Sequence, residues 1–394
     1  MHAELVTSGS ELLLGQLVDT NSAFIARALR NIGLNLYYKT TVGDNQDRMV
    51  QVLRTAIARA DVVITTGGLG PTVDDVTRPA VALATGRELE FRPELLEQIA
   101  ARFTKMRAPM GENNRRQAFV PQGAIAVENP VGTAPAFIVE HEHSIVISVP
   151  GVPSEMEYLM TRAIVPYLQK KLDLHEIIFT RTLHAVGLGE SRIDAAIADL
   201  QTGTNPTVGL SAHPGQTDIR IAAKATSEHE ARALIAPVEA QVRQRLERNV
   251  YGADEETLEG TVACQLAQRQ LKLASVESGA GGQLAGRLAG APACRGVFVG
   301  GRVLTTLGCS AEEAACALRQ EMLGRGVTMA VAASVEAIGD HQLTISTALA
   351  TPEGVQTSGR DLGGSPRLGA EWAVNATLGL VWRYLQEAAT DSRP

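Results

Sequence analysis

The sequence predicts an α/β protein whose first domain holds a mostly parallel sheet with helices on both faces. Through residues 1–165, short apolar strand patterns alternate with segments of helical periodicity. Residues 61–66 contain a continuous β-branched run, which is typical of a strand buried on both faces. After about residue 170 the pattern predicts a small α+β unit, and from residue 257 strands and helices alternate again.

Length and composition set the number of domains and exclude some classes of function. A chain of 394 residues is too long for one ordinary core, so we predict domains over residues 1–170, 171–254 and 255–394. Hydrophobic residues make up 45% and charged residues 20%, as in packed globular proteins. A formal net charge of −7 argues against broad nucleic-acid binding, which needs a dense basic surface.

The N-terminal segment, the length of the apolar runs and the cysteines predict the cellular location. Residues 1–30 lack the basic and apolar runs of a secretory signal, and no window approaches 18 uncharged apolar residues. The four cysteines lie in the last third without a CxxC pair, so we expect scattered buried thiols rather than a metal or disulfide set. These features predict a cytoplasmic protein with no membrane partner.

In the first domain, apolar periodicity and turn residues predict the elements in order. A helix over residues 20–32 has Thr20 or Asn21 as its expected cap. The other expected helices are 47–60, 74–84 and 93–105, and the expected strands are 3–7, 35–42, 61–66, 136–140 and 144–149.

The rest of the chain yields a second and a third set of elements. Between residues 171 and 254 the expected strands are 176–185, 207–211 and 217–225, and the expected helices are 187–200 and 228–249. In the last domain the expected helices are 257–269, one ending at 288, and 367–389, and the expected strands are 272–276, 297–305, 328–335 and 343–350.

A glycine-rich run at residues 65–77, TTGGLGPTVDDVT, is the sharpest local signal. Gly67, Gly68 and Gly70 would let the backbone approach an anion, and the following helix start would offer free N–H groups. Asp74 and Asp75 would repel a phosphate unless a divalent cation lay between them. Spacing alone leaves open a tight turn capped by one of these aspartates.

Other polar clusters follow neighbouring strands of the predicted sheet. Glu11 lies after the first strand, and Asp44 lies after the second, on the same predicted sheet edge as Asp75. Phosphate- and sugar-binding side chains occur further along, together with two more polar turns: Asn114, Arg115 and Arg116, then 129–135 with Gly132 and Thr133, and 150–155. Each alone is most often an ordinary loop, but their convergence favours a ligand site.

These motifs resemble a known family. The run TTGGLGPTVDDVTRPA looks like the signature of the MoaB/Mog-type molybdopterin-binding fold, a three-layer α/β domain. Together with SGSELLLGQLVDTN, NRRQA, NPVGTAPAF and PGVPSEM it is similar to the CinA family. The resemblance maps the two functional acids of the molybdopterin proteins onto Asp75 and Asp44. It implies a homodimer and a metal-dependent pyrophosphatase that converts ADP-ribose to AMP and ribose 5-phosphate.

The resulting hypothesis assigns a role to each group. Asp44 and Asp75, helped by Asp74 or Glu11, would hold one or two divalent ions (Mg, Mn or Co) and carry catalysis. Substrate and phosphate binding would fall to Gly67, Gly68, Gly70, Thr72, Asn114, Arg115, Arg116, Gly132 and Thr133. The alternatives are a binding module that turns nothing over, a deamidase in the last domain, and a role in molybdenum-cofactor synthesis.

The glycine-rich turn at residues 187–191, GLGES, resembles the turn at this place in CinA chains. We therefore interpret the middle unit as a connecting or dimer-supporting domain, with Glu190 as a helix-start acid rather than a catalyst.

The last domain resembles the CinA nicotinamide mononucleotide (NMN) deamidase domain but lacks parts of its site. Residues 273–282 are similar to the family's AESCTGG motif, which makes Ser278 the nucleophile by position, beside Glu277, Gly281 and Gly282. The family's following Tyr and Lys are absent, and no lysine occurs after Lys272. Because a serine without a base is a poor nucleophile, we expect a vestigial deamidase site.

Overall fold

The computed structural model describes residues 1–338 and 341–390, with side chains to residue 387. The chain forms two compact units, residues 1–179 with 224–231 and residues 180–223 with 232–394. No helix in the described residues is long and apolar enough to cross a membrane. The predicted three-domain division stays a prediction.

The first unit contains one large sheet, one short hairpin and helices packed around them. Its strands are β1 His2–Ser8, β2 Asn35–Val42, β3 Val62–Thr66, β4 Leu89–Phe91, β5 Phe119–Pro121, β6 Ile125–Val127, β7 Ala136–His141 and β8 Ser144–Val149. Its helices are α1 Ser10–Leu13, α2 Thr20–Arg30, α3 Gln46–Arg59, α4 Thr77–Ala84, α5 Pro93–Met106, α6 Pro153–Leu159 and α7 Val165–Lys171, with a 3-10 helix at Glu112–Ala118 and a π-helical turn at Met160–Ile164.

The six-stranded sheet has the order β2-β1-β3-β8-β7-β6, and its first four strands are parallel. Because side chains alternate along a strand, Val6 and Val63 pack on one face with Leu53 of α3. Leu5 and Ile64 pack on the other face with Ile25 of α2. The prediction of a mostly parallel sheet covered on both faces is confirmed.

The register brings the carboxyl ends of the four parallel strands level with one another. Ser8 pairs with Val42, Thr7 with Thr66, and Thr66 with Val149. The start of antiparallel β7 reaches the same edge, because Phe137 pairs with Ser148. The loops that follow the four parallel strands, and the loop that precedes β7, therefore lie at one edge of the sheet.

Two helix starts differ from the prediction. The side chain of Asp19 caps α2 by accepting from Ser22 N at 2.9 Å, so the cap is neither Thr20 nor Asn21. Helix α4 begins at Thr77 rather than at residue 74. Asp74 and Asp75 thus belong to the preceding loop, because hydrogen bonds to Asp75 hold that loop in a non-helical turn.

The second unit contains two sheets. Its strands are β9 Ile177–Val186, β10 Thr207–His213, β11 Gln216–Ala225, β12 Val250–Ala253, β13 Leu273–Ser278, β14 Phe298–Leu304, β15 Met329–Ala337, β16 Gln342–Ala350 and β17 Val355–Gly363. Its helices are α8 Glu190–Ile197, α9 Glu228–Leu246, α10 Leu258–Gln268, α11 Gln283–Gly290, α12 Ala311–Glu321 and α13 Pro366–Thr390. The sheet orders are β10-β11-β9-β12 and β14-β13-β15-β16-β17.

The cysteine prediction is wrong for three of the four thiols. All four are free, but Cys264, Cys309 and Cys316 are exposed and Cys294 alone is buried. Burial raises the pKa of Cys294 to about 11. The error arises because the three exposed positions lie on helix faces or in a loop that the core does not cover.

His184 makes the stability of the second unit depend on pH. Its Nδ1 lies 2.7 Å from Asp218 Oδ1 and its Nε2 lies 2.8 Å from the carbonyl oxygen of Asp254. The hydrogen bond with Asp218 raises the pKa of His184, despite its partial burial. A histidine whose pKa is raised on folding stabilises the folded state fully below its ordinary pKa of about 6.5. This stabilisation is lost as the pH rises through the raised pKa.

We therefore expect His184→Gln to cost about 1 kcal/mol of unfolding free energy in mildly acidic buffer and less in alkaline buffer. Urea unfolding of both proteins at the two pH values measures this difference. Exposed His143→Gln is the control, with no such dependence expected. An equal cost for His184→Gln at both pH values would contradict the assignment.

Candidate active site

Loops from the four parallel strands contact each other at the carboxyl edge of the first sheet. Gly9 N donates to Val42 O at 3.1 Å, and Gly67 N donates to Val149 O at 3.2 Å. Asn21 Nδ2 donates to Thr66 Oγ1 at 3.2 Å and to Gly151 O at 2.8 Å. The sequence motifs that follow separate strands thus form one continuous surface.

The glycine loop, residues 67–76, requires glycine at its first position. Gly67 has φ +99°, and a Cβ added there would overlap the carbonyl oxygen of Ser8. Its own amide and that of Gly70 are already bonded, to Val149 O and to Asp75. Among the described residues no acceptor pairs with the amide of partly exposed Gly68. Of the three glycine amides, Gly68 N–H is therefore the one that is available to an anion.

A buried arginine supports the glycine loop from below. Arg78 is 4% exposed and donates to Leu69 O at 2.6 Å and to Gly70 O at 2.5 Å. Burial lowers the pKa of Arg78 to about 10, while the charge of Asp75 acts to raise it. The guanidinium therefore stays charged at neutral pH and holds two carbonyls of the glycine loop in place.

Asp75 is bonded to its own loop. Its Oδ1 accepts from Gly70 N at 2.7 Å, and its Oδ2 accepts from Thr72 N at 2.8 Å and Thr72 Oγ1 at 2.6 Å. This geometry matches the alternative that spacing had left open, a turn fixed by an aspartate. Because a carboxylate has about four lone-pair sites, one site on Oδ1 remains for a ligand.

Asp44 lies after β2 and joins that loop to the loop after β1. Its Oδ1 accepts from Ser8 Oγ at 3.0 Å, and its Oδ2 accepts from Ser10 N at 2.8 Å. The Ser10 hydroxyl accepts from Asp44 N at 3.3 Å. Asp44 thus lies on the same sheet edge as Asp75 and keeps about two lone-pair sites.

The acidic side chains do not form a ready-made metal cage. No group of three or more His, Cys, Asp or Glu side chains among the described residues could hold a metal ion. Asp74 is exposed, whereas Glu11 lies partly buried in the wall of a cavity. The donors present suit a hard cation such as Mg²⁺, which takes one or two carboxylates and completes its shell with phosphate oxygens and water.

Two small cavities open at this edge. One, of about 220 Å³, lies between the loop after β1 and Gly67, and its lining includes Glu11, Asp19 and Asn21. The other, of about 210 Å³, is lined by Gln46, Thr72, Asp75, Arg78 and Arg116 among others. The second cavity brings together three of the residues that the sequence predicted: Thr72, Asp75 and Arg116.

The run Asn114–Arg116 separates into three different environments. Buried Asn114 accepts from Gly111 N at 3.1 Å and donates to Gln117 Oε1 at 3.1 Å, so its role is structural. Arg115 lies over the ring of Phe91, with Cζ 4.8 Å from the ring centroid. Of the two predicted phosphate-binding arginines, Arg116 lines the Asp75 cavity.

Gly132 and Thr133 line a third cavity of about 470 Å³ together with Arg102 and Lys105 of α5. A Cβ at Gly132 would overlap the carboxylate of Glu155, which accepts from Asn129 Nδ2 at 2.5 Å. Burial raises the pKa of Glu155. Thr133 Oγ1 accepts from Gln117 Nε2 at 3.4 Å, and the same amide donates to Leu69 O at 3.4 Å, so this loop is tied to the glycine loop.

Asn21 is a site residue whose role the sequence did not indicate. Its amide joins two loops, while its Oδ1 is buried without a hydrogen-bond partner among the described residues. Such an atom, in the wall of the first cavity, would accept a hydrogen bond from a ligand hydroxyl or amine. Sequence reasoning treated Asn21 as a helix cap, and no local pattern distinguishes the two roles.

In the second unit, the predicted vestigial residues lie at the end of β13. Buried Glu277 accepts from Leu284 N at 3.2 Å and from Ala285 N at 2.8 Å, so it holds the start of α11. Gly281 and Gly282 have φ +65° and +83° and form the turn between them. These contacts give Glu277, Gly281 and Gly282 structural roles.

Ser278 bonds to another serine rather than to a lysine or a histidine. Its Oγ lies 3.1 Å from Ser334 Oγ, and Ser334 Oγ donates to Glu336 Oε1 at 3.1 Å. Sequence reasoning assigned Ser334 and Glu336 no role beside Ser278, because they lie on β15 more than fifty residues away. Ser278 is 3% exposed, which further separates it from a substrate.

Two family models match the chain. The model described as "Probable molybdopterin binding domain" matches residues 4–170, and the model described as "Damage-inducible protein CinA KH domain" matches residues 180–252. A competence-damage inducible protein of Clostridium botulinum strain Loch Maree is 42% identical over 304 residues, or 77% of this chain and 74% of that one. The chain belongs to the CinA family. A second relative, the competence-damage inducible protein of Halothermothrix orenii, is 39% identical over 301 residues, or 76% of this chain and 72% of that one.

Two solved structures are similar to part of this CinA family member. The protein CinA from Thermoplasma acidophilum is 33% identical, with a TM-score of 0.39, over 44% of this chain and 99% of that one. MoaB from Thermus thermophilus is 20% identical, with a TM-score of 0.32, over 44% of this chain and 94% of that one. The family prediction and the MoaB/Mog-type first domain are confirmed by the family matches.

Proposed function

We propose that this CinA family member hydrolyses a nucleotide pyrophosphate, ADP-ribose to AMP and ribose 5-phosphate, at the carboxyl edge of its first sheet. The observation that carries the proposal is the cavity that places Asp75, Thr72 and Arg116 together beside the glycine loop. A cation, a carboxylate and a hydroxyl beside a free amide are groups that bind phosphate and its counter-ion. Water would add to one phosphorus as the bridging P–O bond breaks.

A divalent cation is part of the proposal, and it would arrive with the substrate. Asp44 and the remaining site on Asp75 Oδ1 are the protein groups that would hold it. Its chemistry would be to polarise a phosphate oxygen and to lower the pKa of the attacking water. Arg116 would offset phosphate charge, the Gly68 amide would donate to a phosphate oxygen, and Asn21 would accept from the sugar or base.

Product analysis tests the proposal directly. The full chain is incubated with ADP-ribose, with and without added Mg²⁺, Mn²⁺ or Co²⁺, and AMP is quantified. AMP that forms only with metal is the expected result. No AMP under any of these conditions would overturn the proposed hydrolysis.

The adjacent arginines form a matched pair for mutagenesis. We expect Arg116→Gln to lower kcat/KM for ADP-ribose about tenfold or more, because a charge-assisted bond to phosphate is lost. Arg115→Gln removes the same charge one residue away, but Arg115 packs on Phe91 and should have little effect. Equal losses in the two variants would mean that net charge, not the cavity, controls the rate.

A second candidate function is a nucleotide-binding module without turnover. It is favoured by the finding that Asp44 and Asp75 already act as hydrogen-bond acceptors for their own loops. Calorimetric binding of ADP-ribose that needs no metal, combined with no AMP, would favour this candidate. A molybdenum-cofactor role rests on the fold alone and has no separate support.

For the second unit we propose that no NMN deamidase activity remains. Ammonia release from NMN is expected to stay at the no-enzyme level, because Ser278 is buried and bonded to a hydroxyl rather than to a strong base. Coupled detection of ammonia makes the measurement. Ammonia release that disappears in Ser278→Ala would contradict the proposal and identify Ser278 as a working nucleophile. The homodimer, the cytoplasmic location and the absence of a nucleic-acid partner stay predictions.

A further inference from the structure

A separate cavity of about 130 Å³ lies within the second unit, between the turn after β9, strands β16 and β17, and helix α13. Five glycines line it, so much of its wall is backbone rather than side chain: Gly187, Gly189, Gly215, Gly359 and Gly379. The charged and aromatic side chains in the lining are Arg360, Trp372 and Arg383. The proposed hydrolysis uses none of these residues.

Both arginines present guanidinium groups that the described protein does not use as donors. Neither Arg360 nor Arg383 donates a hydrogen bond to a described residue. Arg360 lies over the ring of Trp372, with Cζ 4.7 Å from the ring centroid. Arg383 is half-buried against Gly187, where a Cβ would overlap its guanidinium. Arg360 is exposed at the rim and Arg383 is partly buried, so the cavity has two guanidinium groups whose donors are available to an acceptor that binds there.

The local charges leave the cavity positive. The charged groups around Arg383 are Arg248 and Glu387, and these two form an ion pair of 2.6 Å with each other. Burial and the charge of Arg248 lower the pKa of Arg383, while Glu387 acts in the opposite direction. An anion in the cavity would offset both the cost of desolvating Arg383 and the repulsion between Arg383 and Arg248.

We propose that this cavity binds a phosphate-type oxyanion, as inorganic phosphate or as the phosphate end of a nucleotide. Guanidinium forks match such oxyanions, and the glycines let the anion approach the backbone. The size limits the occupant, because a whole drug-sized ligand needs about 300 Å³ or more. The structure therefore assigns the cavity to a small anion or to a terminal phosphate whose remainder lies outside.

Tryptophan fluorescence reports on this cavity. The chain contains two tryptophans, both in α13. Trp372 lines the cavity, whereas Trp382 is buried and donates from Nε1 to Arg248 O at 2.7 Å. An anion that binds Arg360 would change the contact between Arg360 and the Trp372 ring. A fluorescence change that depends on Trp372 therefore distinguishes this cavity from the site on the first sheet.

The experiment titrates the full chain with inorganic phosphate, and separately with AMP, at constant ionic strength set by potassium chloride. We expect a saturable change in emission that Trp372→Phe removes. Arg360→Gln, on the exposed rim, and Arg383→Gln should each weaken binding at least about tenfold. The matched control is Arg367→Gln, because Arg367 lies on helix α13 with Arg383 but has an 87% exposed side chain. This variant should bind as the wild type does.

The relative affinities of the two probes identify the source of the anion. Tighter binding of AMP than of phosphate would support the nucleotide-phosphate source, and equal or tighter binding of phosphate would support the free ion. No saturable change with either probe, or unchanged affinity in the Arg360→Gln variant, would overturn the proposal. If Arg383→Gln loses its circular dichroism spectrum, Arg360→Gln still decides, because its side chain is exposed and supports no described hydrogen bond.

Discussion

Asp44→Asn is expected to lower the metal-dependent release of AMP from ADP-ribose at least about 100-fold while the fold stays intact. The structure makes it the clearest variant of the site. An asparagine can accept from Ser10 N with its oxygen and donate to Ser8 Oγ with its amide, so both loop contacts survive. What is lost is the negative charge and one metal-binding oxygen.

The measurement is the initial rate of AMP formation across a range of metal concentrations. A rate that recovers at high metal would locate the loss in metal affinity. Asp47→Asn, three residues along and exposed, is the matched control and should behave as the wild type does. Wild-type turnover in Asp44→Asn would remove Asp44 from the proposed site.

Asp75→Asn is a less clear test than Asp44→Asn. Asp75 accepts three hydrogen bonds, from Gly70 N and from both Thr72 donors. An asparagine would turn an NH₂ group towards at least one of these donors. A loss of activity in this variant therefore combines loss of a ligand with distortion of the glycine loop.

Gly67→Ala is expected to cost about 2 to 5 kcal/mol of unfolding free energy in the first unit. The added Cβ would overlap the Ser8 carbonyl oxygen, and backbone cannot yield as a flexible side chain can. The residue also has φ +99°, a conformation that alanine rarely adopts. Urea unfolding measures the cost.

Gly86→Ala separates the two causes. Gly86 has φ +64° but no heavy atom within 4 Å of an added Cβ, so only backbone strain of about 1 kcal/mol applies. Similar costs for the two variants would show that the close approach to Ser8 does not constrain Gly67.

The sequence predicts the sheet well because its signal is local and dense. Apolar, β-branched runs such as residues 62–66 strongly favour a strand. Because side chains alternate along a strand, the position of each residue then determines which face of the sheet it occupies. Strand β17 and helix α12 were missed. The β17 segment is largely polar and exposed at the sheet edge, so it has no apolar alternation to detect.

The candidate site was predicted in position but not in detail. Parallel strands deliver Asp44, Asp75 and the glycine loop to one edge, and topology alone requires that. Arg115 and Arg116 lie in a 3-10 helix, whose geometry directs their side chains to different environments. The sequence alone does not show which of the two adjacent arginines lines the cavity. The three bonds to Asp75 likewise depend on a loop geometry that propensity does not encode.

The arginine beneath the glycine loop has a consequence for how an anion would respond to acidity. Because the pKa of Arg78 is about 10, this buried cation keeps its charge throughout the neutral range. It contributes a constant attractive field behind the Gly68 amide, unlike a histidine, which would switch that field off near neutrality. Phosphate affinity at this edge should thus follow the ionisation of the ligand, and weaken only in strongly alkaline solution.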